Sequence, residues 1–137
     1  MEITYQTEPN LSVAEFRDLL VRSTLGERRP IDEPEHLEKM CKNADIILTA
    51  RFEGKLVGIS RSLSDFAFAT YLSDLAVDTE FQHVGIGKRL IAETKKLVPD
   101  GKLILLAAPA ARGYYPKIGM IQFEYAFYID NLEELKL

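Results

Sequence analysis

The chain has 137 residues, of which 47% are hydrophobic and 28% charged, and a formal net charge of −4. That length suits one domain over residues 1–137 with a core large enough to need no staples, and the composition excludes a disordered chain. The acidic balance argues against a nucleic-acid binder; Lys88, Arg89, Lys95 and Lys96 form a local basic patch suited to a small anion or to solvent.

Residues 3–7 read as a short first strand, ended by Glu8-Pro9-Asn10. The N-terminus lacks the basic and apolar regions of a signal peptide, and no later run approaches the ~20 apolar residues of a membrane span, so no membrane partner is expected. Ser12 and Glu15 then stand at capping-box spacing, with Leu11 and Phe16 placed for a hydrophobic staple. Phe16, Leu19, Leu20 and Ser23 make one helical face, and Gly26 is the expected stop. Glu27-Arg28-Arg29-Pro30-Ile31 follows as a polar linker whose double arginine could meet an acidic substrate, with solvation the expectation. A second helix is expected to begin between Asp32 and Pro34 and to bury Leu37, Met40, Cys41 and Ala44. Cys41 is the only cysteine, so no internal disulfide can form, and a cytoplasmic setting is the expectation. His36 and His83, with one cysteine, cannot build a zinc site unless carboxylates supply most ligands, so no metal is expected.

Residues 46–52 and 55–62 are β-rich runs around Glu53-Gly54, a hairpin signature, and Gly58 marks a bulge or a close backbone neighbour. Residues 71–77 continue the sheet. Alternation places Tyr71, Ser73, Leu75 and Val77 on one face and Leu72, Asp74 and Ala76 on the other. Next comes Gln82-His83-Val84-Gly85-Ile86-Gly87-Lys88, followed by Leu90, Ile91, Thr94, Leu97 and Val98 at helical spacing. A helix entered through glycines offers unpaired amides and a positive dipole end, which suits an anion. Its first turn carries Lys88 and Arg89 and no acid, against the usual preference. Residues 103–106 then read as a strand buried on both faces, which completes a βαβ unit with parallel strands and a right-handed crossover. A short helix containing Tyr114-Tyr115-Pro116-Lys117 ends at Gly119, and residues 121–129 are expected to supply one or two last strands.

Two of these segments carry a family resemblance. The strand ending Leu75-Ala76-Val77, followed by Gln82-x-x-Gly85-x-Gly87, is similar to the pyrophosphate loop of the GNAT superfamily of acyl-CoA-dependent N-acetyltransferases. Ala111-x-x-Tyr114-Tyr115-x-Lys117-x-Gly119-Met120 is similar to a later motif of that family. Their order and spacing agree, and the resemblance covers nearly the whole chain. It implies a mixed α/β fold: a central, mostly antiparallel sheet with one parallel βαβ unit, flanked by about four helices. The chain departs from many relatives at Ala108, where they carry asparagine, at Met120, where they carry phenylalanine, and at Tyr71, where some carry a glutamate base.

The resemblance further implies an enzyme that transfers an acetyl group from acetyl-CoA, as co-substrate, to a primary amine by direct attack. The diphosphate would lie on the amides of Gln82, His83, Val84, Gly85, Ile86, Gly87 and Lys88, with the rest of the cofactor along Leu75, Ala76 and Val77. An amide near Leu75 or Ala76 is the expected oxyanion donor if the strands separate or a bulge intervenes. Tyr115 is the expected acid for the departing thiolate. Asp74 or Asp65, acting through water, is the expected base. The acceptor amine is unassigned, and a homodimer is left open because relatives often dimerise. A non-catalytic acyl-CoA-binding module is the alternative. A dinucleotide oxidoreductase is disfavoured because Leu90 stands where the third glycine is required.

Overall fold

In the computed structural model, which describes residues 1–137, the capping signal at Ser12 is met. Ser12 Oγ accepts from the Glu15 amide at 3.1 Å, and helix α1 runs Val13–Arg22 with Leu11 and Phe16 buried beside its start. The Glu15 carboxylate turns to the sheet, where Arg51 Nη1 donates to it at 2.8 Å. A charged partner outcompetes the backbone amide of the capping box. The same guanidinium donates to Glu8 at 2.8 Å and 2.9 Å, and this bonding, with help from Thr49, brings the Glu8 carboxyl down to about 2.

Helix α1 stops at Ser23, three residues before the expected glycine, and Thr24 takes the left-handed turn at φ 70°. Gly26 instead lies inside a 3-10 turn, Leu25–Arg28, where a Cβ would stand 3.1 Å from the Leu20 carbonyl oxygen. It is there because the backbone packs closely. Helix α2 runs Pro34–Lys42, opens on proline as expected, and buries Leu37 and Cys41.

Five strands form one sheet in the order β1-β2-β3-β4-β5: Thr4–Thr7, Ile46–Phe52, Lys55–Ser64, Ala69–Val77 and Lys102–Ile104. All neighbours are antiparallel except β4 and β5, which are parallel and joined through helix α3, Ile86–Leu97. The β2–β3 hairpin turns through Glu53 at φ 50° and Gly54 at φ 81°, the two positive values that a tight primed turn demands. With α4, Tyr114–Lys117, this is the expected mixed α/β architecture of a mostly antiparallel sheet, a parallel βαβ unit and four helices. No helix is long and apolar enough to cross a membrane.

One sheet face packs against α1 and α2 through Phe16, Leu19, Leu20, Leu37, Ile59 and Ala76. On α3, the buried residues Ile86 and Leu90 join a second cluster with Leu48, Ala50 and Val57. Thr94 completes the buried stripe of α3 and hydrogen-bonds Ser60 at 2.7 Å, whereas Leu97 is exposed. Gly58 meets both expectations placed on it. The β2–β3 register skips Val57 directly before it, and a Cβ on Gly58 would lie 3.0 Å from Ile86 Cγ2 and 3.1 Å from Leu90 Cδ1. Gly58→Ala should therefore push on α3 and cost about 1–3 kcal/mol, read as a lowered denaturation midpoint.

A second bulge changes the expected faces of β4. Arg61 pairs with Asp74 but Ser62 pairs with Leu72, so Ser73 is the extra residue. Residues opposite each other share a face, so Leu72 joins Ser62 on the side of Ser60 and Leu75, and Tyr71 joins the side of Asp74 and Ala76. Period-2 reading places Asp74 through Val77 correctly and inverts at Leu72.

Two further expectations fail. Strand β5 covers only Lys102–Ile104 and is not buried on both faces, with Ile104 41% and Leu106 62% exposed; it is an edge strand paired over three residues. Residues 121–129 form no strand, and Ile121, Phe123, Tyr125 and Phe127 are exposed. Alternating apolar residues make a strand only when a neighbour accepts the ladder, and their own unit contains none. The chain divides into two compact units, Met1–Leu106 and Ala107–Leu137.

Candidate active site

In the first unit the chain leaves β4 at Val77, passes a 3-10 turn, Thr79–Phe81, and enters α3 through residues 82–85. His83 sits at φ 66° and Gly85 at φ 90°, so the entry is built from left-handed backbone. Gly85 is the N-cap and contributes no side chain. The first amide with an intrahelical acceptor is that of Arg89, which donates to Gly85 O at 3.0 Å. The amides of Ile86, Gly87 and Lys88 precede it and have no acceptor within the helix.

Two side chains of this stretch serve the fold and three stand exposed. Ile86 is buried at 2%, Gln82 Nε2 donates to Val77 O at 3.0 Å, and His83, Val84 and Lys88 are exposed. The basic patch is largely consumed internally. Arg89 pairs with Glu93 at 2.8 Å and lies over the Tyr5 ring at 4.8 Å, and Lys96 pairs with the same Glu93. Lys95 Nζ caps the end of α3 through the carbonyls of Val98, Pro99 and Gly101. Lys88 alone remains unpaired, in a first turn that holds no acid. Gly87 is helical, and a Cβ there would reach Val77 Cγ2 at 3.9 Å and Leu75 Cδ2 at 4.0 Å. The glycine helix start and Leu75, Ala76 and Val77 are thus drawn together in one unit, at the carboxyl end of β4.

The strand beside this loop has the two features that free backbone amides. Pairing of β4 with β5 ends at Tyr71 and Ile104, so the rest of β4 has no strand on that side, and the Ser73 bulge interrupts its ladder with β3. The bulge is tied by side chains. Asp74, fully buried, receives Arg29 Nε at 2.5 Å on one oxygen and Arg61 Nε on the other. Arg29 Nη2 donates to Ser73 O at 2.8 Å, and Arg61 Nη2 to Ser73 Oγ at 3.1 Å.

This arrangement corrects three readings. Arg29 is a partner of the sheet and not a solvated linker residue. Asp74 is closed off as a base because both oxygens are committed to guanidinium groups at zero exposure. Asp65 is exposed but a poor base: the amides of Phe68, Ala67 and Ala69 bond to its Oδ1 at 2.8–3.1 Å and bring its carboxyl down to about 2. Sequence reasoning missed the Arg29–Asp74–Arg61 group. Its signal was a pair of opposite charges, Arg61 and Asp74, inside two strands that are otherwise apolar or small at inward positions.

The second unit carries Tyr115 on the short helix α4. Tyr115 is half-buried, stacks edge-on against Tyr114 at 5.3 Å, and accepts through its carbonyl from Met120 N at 3.0 Å. Burial, followed by the neighbouring Tyr114, pushes its phenol above the usual value, so the hydroxyl stays protonated at neutral pH.

Comparison with known proteins agrees with this geometry. The family model described as Acetyltransferase (GNAT) domain matches residues 27–135. The chain belongs to the GNAT acetyltransferase family. As a GNAT protein it is an acyltransferase, and its similarity to an uncharacterized N-acetyltransferase of Pyropia yezoensis is 30% identity over 128 residues, 88% of this chain and 71% of that one. The GNAT fold is also seen in a GNAT family acetyltransferase from Streptococcus pneumoniae, with a TM-score of 0.77 at 20% identity, covering 94% of this chain and 98% of that chain. An aminoglycoside acetyltransferase from an uncultured soil metagenomic sample shares it with a TM-score of 0.71 at 23% identity, covering 95% and 96% of the two chains.

Proposed function

We propose that this GNAT protein acetylates a primary amine with acetyl-CoA, its two units working as the single acetyltransferase domain that the sequence suggests. The observation that carries the reading is the strand-loop-helix from Leu75 to Lys88, whose open amides, glycines and lack of a first-turn acid suit a diphosphate. Acetyl-CoA would supply the activated acetyl thioester. The amides of Gln82, His83, Val84, Gly85, Ile86, Gly87 and Lys88 bind the diphosphate, and Leu75, Ala76 and Val77 line the donor along the strand. A backbone amide near Leu75 or Ala76 receives the negative charge that develops on the carbonyl oxygen. Tyr115 gives its hydroxyl proton to the leaving sulfur as the new carbon–nitrogen bond replaces the carbon–sulfur bond. With both oxygens of Asp74 committed and the Asp65 carboxyl lowered to about 2, the proton lost by the amine passes to water. The lone Cys41, buried in α2, fits a reducing, cytoplasmic setting.

A panel of amines screened with acetyl-CoA by release of free thiol tests the reading. Amine-dependent thiol release is the expected result. CoA binding by calorimetry without consumption of acetyl-CoA under any amine would mark a sensor module and end the enzymatic assignment of this site.

A further inference from the structure

The Ser73 bulge leaves polar groups that the sheet no longer pairs, and two arginines from outside β4 take them up. The carbonyl of Ser73 accepts from Arg29 Nη2 at 2.8 Å, its hydroxyl accepts from Arg61 Nη2 at 3.1 Å, and the next carboxylate, Asp74, takes one Nε from each. Arg61 is itself part of β3 and donates onward to Met40 O at 3.1 Å, which ties it to α2. Arg29 comes from elsewhere: it ends the 3-10 turn after α1, and its side chain is 22% exposed.

Strand β5 has already parted from β4 at Tyr71. From Leu72 to Val77 the β4 edge on that side therefore has no ladder to set the pitch of its peptide planes. Of the two guanidiniums, that of Arg29 holds the bulge peptide directly, at Ser73 O, whereas that of Arg61 holds the Ser73 hydroxyl and the Asp74 carboxylate. Arg61 is 6% exposed and built into the core, so its loss would report on folding. Arg29 reaches the same point from a surface turn and can be changed with less disturbance.

We infer that Arg29 is a positioning residue for acyl transfer, latching the turn after α1 onto the Ser73 peptide so that the amide of Leu75, which alternation turns to the open edge while that of Ala76 faces β3, keeps the orientation the reaction needs. This rests on the acetyl-transfer reading of the site. It assigns Arg29 no contact with either substrate. Its effect passes through the backbone of residues 73–76, and small displacements of a catalytic donor are enough to cost large factors in rate.

The test uses Arg29→Gln and Arg29→Lys in the full chain, with Arg28→Gln as control, since the Arg28 side chain is exposed and forms no ion pair. Arg29→Gln should lower kcat about tenfold or more while the CoA dissociation constant and both KM values stay within about twofold, the pattern of an interaction felt in the transition state. Arg29→Lys, which can meet Asp74 or Ser73 O but not both in the same fork, should recover part of kcat. Amide hydrogen exchange read by NMR should show faster exchange at residues 73–76 in Arg29→Gln and none in Arg28→Gln. A raised acceptor KM at unchanged kcat would make Arg29 an acceptor-binding residue and overturn the inference. Unchanged kcat together with unchanged exchange would overturn it as well. If the wild-type chain consumes no acetyl-CoA, the transfer reading itself falls, and the exchange comparison then decides separately whether Arg29 holds the bulge.

Discussion

Tyr115→Phe is expected to lower kcat by about 10²- to 10⁴-fold, the usual worth of a positioned acid. Phenylalanine keeps the ring that meets Tyr114 edge-on at 5.3 Å, and it leaves the backbone bond from Met120 N intact. What it removes is the hydroxyl, so the loss reports proton donation and not packing. The pH dependence gives a second reading. The acid is active while protonated, and burial raises its pKa above the ordinary phenol value of about 10. Activity that depends on it is therefore full at neutral pH and falls only as pH rises through that elevated value. In Tyr115→Phe this alkaline limb should vanish. A variant that retains wild-type kcat with an amine the wild type acetylates would remove Tyr115 from the acid role.

Gly87→Val should weaken CoA binding by at least tenfold, about 1.4 kcal/mol, and leave the fold nearly untouched. A Cβ at Gly87 finds Val77 and Leu75 at ordinary contact distances of 3.9 Å and 4.0 Å. Valine is also a slightly better helix former than glycine, so the denaturation midpoint should hold or rise. Any lost affinity then comes from side-chain bulk beside the open amides. Gly85→Val is a poorer test, because φ is 90° there and a β-branched residue in that region adds about 1–2 kcal/mol of strain to whatever the ligand loses. Calorimetry with CoA, paired with thermal denaturation, checks both variants. Undiminished affinity in Gly87→Val would sink the diphosphate assignment.

The contrast between the two glycines shows how far a sequence reading reaches. Their spacing made the helix start legible, since it depends on backbone groups that follow from local conformation alone. The same reading could not assign different tasks to them. Gly85 meets a backbone demand, whereas Gly87 leaves space, and the difference depends on where Leu75 and Val77 of β4 lie. The surface charges behaved alike. Lys88, Arg89, Lys95 and Lys96 look equivalent along the chain, yet Glu93 and the carbonyls closing α3 engage three of them and leave Lys88.

The element order, the capping of α1, the tight β2–β3 turn and the βαβ unit were determined by the sequence itself, because each rests on short-range backbone chemistry and on hydrophobic periodicity. The two motifs likewise point to the GNAT family from the sequence alone. The tertiary structure decided what depends on partners distant in the chain. It inserted Ser73 into β4 and so reversed the faces of Tyr71 and Leu72, and it left residues 121–129 without a strand. It also joined Arg29 and Arg61 to Asp74 across 45 and 13 positions, which closed that carboxylate to base chemistry. A bulge and a buried ion pair are settled by which strands and turns meet, and no local propensity encodes that meeting.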